Sequence, residues 1–147
     1  MTDVKSAIIV EQHLPYPLEA VWRMLSEPVL LANWLMPTDF KPVLGHRFTF
    51  MTKPVGDWDG TIRCEVLEIV PPRRLRYSWI GGLASNAGYG SRLDSIVTWS
   101  LSPQDGGTLL QMEHAGFGPD NAVAFNAMKS GWRQIVTRIE TLLGESV

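Results

Sequence analysis

Few side chains in this sequence could do chemistry. His114 and Tyr77 are a possible acid and base, because an imidazole titrates near neutral pH and a phenol both donates and accepts a proton. The indole N–H groups of Trp79, Trp99 and Trp132 could orient a bound molecule by donating to it. His114, Tyr77, Trp79 and Trp99 occupy the inward parity of strand-like stretches, and Trp132 lies on the apolar stripe of a helical one. A lone inward histidine is ordinarily a hydrogen-bonded core residue, and aromatic groups on an inward face ordinarily fill space.

Other chemical signatures are missing. His13, His46 and His114 lie on separate stretches without a His-x-x-x-His spacing, so no metal is expected. Cys64 is the sole cysteine; with Ile62 and Val66 on the same face it reads as a small buried hydrophobe, and an intramolecular disulfide is impossible. There is no Gly-x-Ser-x-Gly elbow, phosphate loop or dinucleotide fingerprint, so no cofactor is expected. The carboxylates Glu65, Glu68, Asp94 and Glu113 fall mainly on outward parities and read as solvated surface, with Glu65 free to meet an arginine on an adjacent strand.

Composition narrows the class. A chain of 147 residues, 45% hydrophobic and 19% charged, is expected to form one soluble globular domain over residues 1–147. No apolar run approaches the ~20 residues of a membrane span. Residues 1–10 lack the pattern of a secretory signal, which makes a cytoplasmic location the expectation. The net charge of −2, with Arg73, Arg74 and Arg76 as the only dense basic cluster, argues against a nucleic-acid surface.

The elements that must position the inward groups follow from periodicity. Residues 5–13, with the run Ala7 to Val10, read as a first strand. Pro17 opens a short helix with Val21, Met24 and Leu25 on its apolar face, and Pro28 restarts a second through Leu31 and Trp34. Residues 46–52 alternate with Phe48 and Phe50 inward, and the Pro, Gly and Asp of residues 54–60 mark a hairpin turn that carries Trp58. In the strand of residues 61–70 the apolar parity changes after Val66, which predicts a bulge. Leu75, Tyr77 and Trp79 alternate cleanly in the next strand. Residues 81–92 are rich in Gly, Ser, Ala and Asn and read as a long mobile loop suited to a gate. Val97, Trp99 and Leu101 share one face of a fifth strand; Asp105-Gly106-Gly107 turns the chain; Thr108, Leu110, Met112 and His114 share a face of the sixth.

A last helix is expected over residues 121–143, capped by Asp120 or Asn121 at its start and by Gly144 at its end. Phe125, Met128, Trp132, Ile135, Val136, Ile139, Leu142 and Leu143 form its stripe, and at 1.5 Å per residue it spans roughly 35 Å. Strand, two short helices, five consecutive strands and a long helix describe an α+β domain with an antiparallel sheet.

Several short patterns in this order resemble a known family: Pro17-x-x-x-Val21-Trp22, Trp34, Asp59-Gly60, Glu68-Ile69-x-Pro71-Pro72-x-x-Leu75-x-Tyr77-x-Trp79, Gly107-Thr108-x-Leu110 and Gly131-Trp132. They are similar to those of the START-like, or Bet v 1-like (SRPBCC), superfamily, in the branch homologous to the C-terminal domain of the Hsp90 ATPase activator. One departure is Leu44-Gly45-His46, where relatives often carry a Gly-Gly pair. The resemblance covers about residues 8–143. It implies a helix-grip fold, a curved antiparallel sheet wrapped around the long C-terminal helix, with two short helices after the first strand. It also implies a hydrophobic cavity between sheet and helix that accepts lipids, sterols, polyketides or other apolar molecules.

On that expectation the ligand-binding residues are Trp34, Phe48, Phe50, Tyr77, Trp79, Trp99, Met112, His114, Phe125, Met128 and Trp132, around a small apolar or aromatic ligand and without catalysis. Two other readings stay open: an interaction module for an Hsp90-type chaperone, and a cyclase- or aromatase-like enzyme that uses His114 and Tyr77. Left empty, a void of ~300 Å³ would cost ~7 kcal/mol at ~24 cal/mol per Å³, comparable to a domain's whole stability. The space is therefore either occupied by ligand or water, or closed by the aromatic side chains.

Overall fold

The computed structural model describes residues 6–83, 85–86 and 91–145. The elements run β1 (Ser6–Leu14), α1 (Leu18–Ser26), α2 (Pro28–Trp34), β2 (Arg47–Met51), β3 (Thr61–Val70), β4 (Arg74–Gly81), β5 (Leu93–Gln104), β6 (Gly107–Phe117), a 3-10 turn at Pro119–Asn121, and α3 (Ala122–Glu145). The strands form one curved antiparallel sheet in the order β1-β6-β5-β4-β3-β2. This is the α+β antiparallel arrangement expected from the element order and the helix-grip fold that the family resemblance implies.

Local sequence explains each element. Pro28 sits in the first turn of α2, where its missing N–H is no loss and its fixed φ suits the helix. Trp34 closes that helix fully buried, and its indole donates to the Met24 carbonyl at 2.8 Å, which ties α2 back onto α1. The phase change in β3 is a bulge: Val66 pairs with Tyr77 and Glu68 with Arg76, which leaves Leu67 without a partner. Ile62, Cys64 and Val66 are accordingly buried before it, whereas Leu67 is exposed. Arg47 stands directly opposite Glu65 across β2 and β3, with 3.5 Å between them.

The inward faces are those the alternation predicts. Phe48, Phe50, Leu75, Tyr77, Trp79, Val97, Trp99, Leu101, Leu110, Met112 and His114 are all buried. Trp132, Val136, Ile139 and Leu143 of α3 are buried against them, with Ile135 and Leu142 partly so.

Four details differ from the sequence reading. The hairpin strands are longer, because β5 and β6 pair all the way to Gln104 and Gly107 at one end and to Ile96 and Ala115 at the other. Gly144 is not the C-cap: α3 continues to Glu145, and a side chain at Gly144 would press on the Tyr16 hydroxyl, 3.2 Å away. Asn121 lies buried in the 3-10 turn, where its Oδ1 accepts from the Gly118 N–H at 2.9 Å and its Nδ2 donates to the Arg92 carbonyl at 2.8 Å. It ties the start of β5 to the entrance of α3. Of the loop expected at residues 81–92, Gly81 belongs to β4 and Leu83 bridges to Ser91, while Ala84 and residues 87–90, including Tyr89, lie outside the described residues.

Candidate functional site

Between the first half of α3 and the β3–β4 end of the sheet lies a largely apolar cavity of about 310 Å³ that opens to solvent. Its floor is Ile62 of β3, Trp79 and Gly81 of β4, and Leu93 of β5. Leu35 and Met36, just after α2, close one side, and Thr52 and Trp58 from the β2–β3 connection stand on another. The helical wall is Ala124, Ala127, Met128, Gly131, Trp132 and Ile135, spaced by threes and ones along one face of α3.

The space exists because that helical face is built from small residues where it crosses the sheet. Ala124, Ala127 and Gly131 recur at steps of three and four, and a Cβ added at Gly131 meets nothing within 4 Å. Lower on the same helix, Val136, Ile139 and Leu143 fill the corresponding positions and are buried. Gly81 contributes in a similar way: a Cβ there would come within 3.2 Å of the Trp58 ring, so the bare backbone lets that indole lie over the strand. The Trp58 N–H is held by the Thr61 carbonyl at 3.0 Å.

Behind the wall runs a chain of hydrogen bonds in which every proton has a defined place. The Trp132 indole, a donor only, gives its N–H to His114 Nδ1 at 3.0 Å. The Ser95 hydroxyl donates to the Trp79 carbonyl at 2.8 Å. Its oxygen, 2.7 Å from His114 Nε2, is therefore left to accept the imidazole N–H. His114 is thus the neutral Nε2–H tautomer, and burial, with no counter-charge, pushes its pKa down to about 3. Its ring packs at steep angles against others, with centroids 5.2 Å from Trp79, 4.7 Å from Phe117 and 5.8 Å from Trp132.

The expected site residues divide into two sets. Trp79, Met128 and Trp132 line the cavity. Trp34, Phe48, Phe50, Tyr77, Trp99 and Met112 do not; they are sealed in the core beneath it. The Tyr77 hydroxyl accepts from the Trp99 N–H at 2.9 Å, and burial raises its pKa well above the ordinary phenol range. Cys64 is likewise raised by burial. His114 sits one layer back, touching Trp79 and Trp132 rather than the open space. Phe125 packs edge-on against Phe117 with centroids 5.3 Å apart and faces a second, smaller pocket of about 210 Å³ beside Ser6 and Gly118.

Sequence reasoning did not single out Trp58, Met36, Ala127 or Gly131 as lining residues. The small residues recurring along α3 were a visible signal, but one that only the large apolar stripe around them would have framed. Among the described residues no cluster of His, Cys, Asp and Glu could hold a metal ion, and no helix is long and apolar enough to cross a membrane.

Comparison with known proteins agrees with this architecture. Residues 15–144 match the family model described as activator of Hsp90 ATPase homolog 1-like protein. Protein MLL2253 of Mesorhizobium loti is 39% identical, with a TM-score of 0.83 over 97% of this chain and 99% of that one. Protein BH1534 of Bacillus halodurans is 26% identical, with a TM-score of 0.75 over 97% and 99% of the two chains. The Aha1 dimer of Colwellia psychrerythraea, at 12% identity and a TM-score of 0.75 over 94% and 96%, shares the fold. No curated protein matches the chain in sequence. The match across residues 15–144 and the helix-grip architecture together show that the chain belongs to the activator of Hsp90 ATPase homolog 1-like family, within the START-like superfamily.

Proposed function

We propose that this protein binds a small apolar or aromatic molecule in the cavity between α3 and the sheet, and holds it without transforming it. The observation that carries the reading is the contrast along one helical face: Ala124, Ala127 and Gly131 leave about 310 Å³ open, while Val136, Ile139 and Leu143 fill the rest of the same interface. That volume is at the small end of ligand pockets, and the aromatic surfaces of Trp58, Trp79 and Trp132 supply broad apolar contact. The acid–base reading finds no support in the geometry, because neither His114 nor Tyr77 lines the cavity and the ring nitrogens of the one and the hydroxyl oxygen of the other are engaged inside the core.

Native mass spectrometry of the purified protein, with a thermal-shift screen of fatty acids, sterols and polycyclic aromatics, tests the proposal. Binding that disappears in Gly131→Leu, where the new side chain occupies the open space, supports it. Absence of any bound species and of any thermal shift counts against it.

The family favours a second reading, association with an Hsp90-type chaperone. It predicts that the protein is retained on an immobilised Hsp90-type chaperone and changes its ATPase rate. No retention removes this reading and leaves the cavity proposal as it stands, whereas retention without a rate change keeps the association and removes only the effect on the ATPase.

A further inference from the structure

The polar ends of the buried tryptophans are not alike. Trp34 donates to the Met24 carbonyl at 2.8 Å, Trp99 to the Tyr77 hydroxyl at 2.9 Å, and Trp132 to His114 Nδ1 at 3.0 Å. Trp79 is only 3% exposed, yet among the described residues its indole N–H has no acceptor. A buried indole N–H ordinarily finds one. Nor is this N–H sealed in: the one side-chain nitrogen or oxygen that is both fully enclosed and without a hydrogen-bond partner among the described residues is Arg76 Nε. The Trp79 nitrogen therefore touches open space, and the open space that Trp79 lines is the cavity.

We propose that the Trp79 indole N–H is the anchoring donor of the cavity, and that the ligand is an uncharged aromatic molecule bearing a carbonyl-type oxygen to accept it. This deepens the cavity-binding reading and rests on it. Three features define the class. Among the described residues no Asp, Glu, Lys or Arg lines the cavity, so a charged ligand would lose its hydration without a counter-charge from them. Trp58, Trp79 and Trp132 present ring surface, which suits an aromatic body. An indole nitrogen donates and cannot accept, so the ligand's polar atom must be an acceptor.

The remaining polar groups at the cavity do not compete for this role. Ser91 Oγ is occupied, since it donates to the Asp120 carbonyl at 3.2 Å and accepts from Asn121 Nδ2 at 3.2 Å. The Trp132 and Trp58 N–H groups are committed to His114 and the Thr61 carbonyl. Thr52 is half-exposed at the side of the cavity and reaches solvent. A ligand without an acceptor would displace water from the Trp79 N–H and leave it unpaired, and that penalty is the source of the selectivity.

The test uses a rigid matched pair, 9-fluorenone and fluorene, which differ by a carbonyl in place of a methylene. Dissociation constants are measured for the native protein and for Trp79→3-benzothienylalanine, an isostere with sulfur in place of the N–H, introduced at that position alone. Fluorenone should bind the native protein about tenfold tighter than fluorene. In the isostere protein the preference should fall to about one, chiefly because fluorene, which no longer strands an N–H, binds tighter there; Trp79→Phe should abolish the preference as well. A fluorenone preference that survives loss of the N–H, or equal binding of the two by native protein, overturns the anchor while leaving the cavity reading intact. If neither compound binds the native protein, the anchor proposal falls, and the cavity reading is decided by the screen of fatty acids, sterols and polycyclic aromatics.

Discussion

The Trp132 indole nitrogen lies 3.0 Å from His114 Nδ1, and this single bond joins the wall of the cavity to the core behind it. It fixes the rotamer of a tryptophan that lines the open space and the tautomer of a histidine that is fully buried. It also couples α3 to β6 at the level where the helix turns from cavity wall to core filler. The chemistry of His114 is thereby spent on architecture, and the cavity inherits a rigid face.

Stability should fall with acid because of His114. Its imidazole titrates near 6.5 when unfolded and near 3 when folded, so between those values the unfolded chain takes up a proton that the native protein refuses. The contribution is complete above about pH 6.5 and is lost progressively as pH falls toward 3, at about 1.4 kcal/mol per pH unit. Urea unfolding at a series of pH values should show that slope in the native protein, and His114→Gln should lack this part of it. His13 and His46 remain in the variant, so a slope that is unchanged there would assign the effect elsewhere.

Gly131 separates helix propensity from cavity volume. Its added Cβ meets nothing, and glycine inside a helix is the poorer former, so Gly131→Ala should raise stability by about 0.5–1 kcal/mol. Gly131→Leu should keep the fold and weaken ligand binding at least tenfold. Urea midpoints and binding isotherms on the two variants check both statements.

The two halves of α3 should respond differently to truncation. Ile139→Ala removes a fully buried side chain from a filled interface and should cost about 2–4 kcal/mol with little change in ligand affinity. Met128→Ala enlarges a space that is already open and should cost about 1 kcal/mol or less while altering affinity. Paired measurements of unfolding free energy and dissociation constant distinguish them.

Gly60 holds the hairpin connection that brings Trp58 to the cavity. Its φ is +89°, and a Cβ there would run into the Thr52 carbonyl, while its own carbonyl accepts from the Thr52 N–H at 2.9 Å. Gly60→Ala should cost about 1–3 kcal/mol and shift the Trp58 emission as the indole leaves its place over Gly81. A variant with native stability and emission would contradict this role.

The fold was legible because its signals are periodic. The alternation of Leu75, Tyr77 and Trp79, the phase change at Val66, and the stripe along α3 each translate directly into a buried face. The cavity was only partly legible, because the pattern names which residues point inward and not how far they reach. Trp79 and Trp99 share residue type and inward direction on neighbouring strands. Trp99 pairs with Leu75 and Met112, both bulky, and is sealed; Trp79 pairs with Ser95, which is small, near the end of β4 where α3 presents Ala and Gly. Phe125 is on the predicted stripe too, but, although it stands between the lining residues Ala124 and Ala127, it does not line the cavity and packs on Phe117 instead. Gly144 read as a helix stop because glycine commonly plays that part; here the Tyr16 hydroxyl, approaching from beneath, is the constraint.

The indole region of a ¹H–¹⁵N correlation spectrum offers the most direct measurement. Six tryptophans give six assignable N–H signals at known places in the fold. On titration with 9-fluorenone the Trp79 signal should move most, Trp58 and Trp132 should move less, and Trp34 and Trp99, sealed in the core, should stay near their starting positions. A spectrum in which no signal moves, or in which only the half-buried Trp22, away from the cavity lining, responds, would contradict a ligand site between α3 and the sheet.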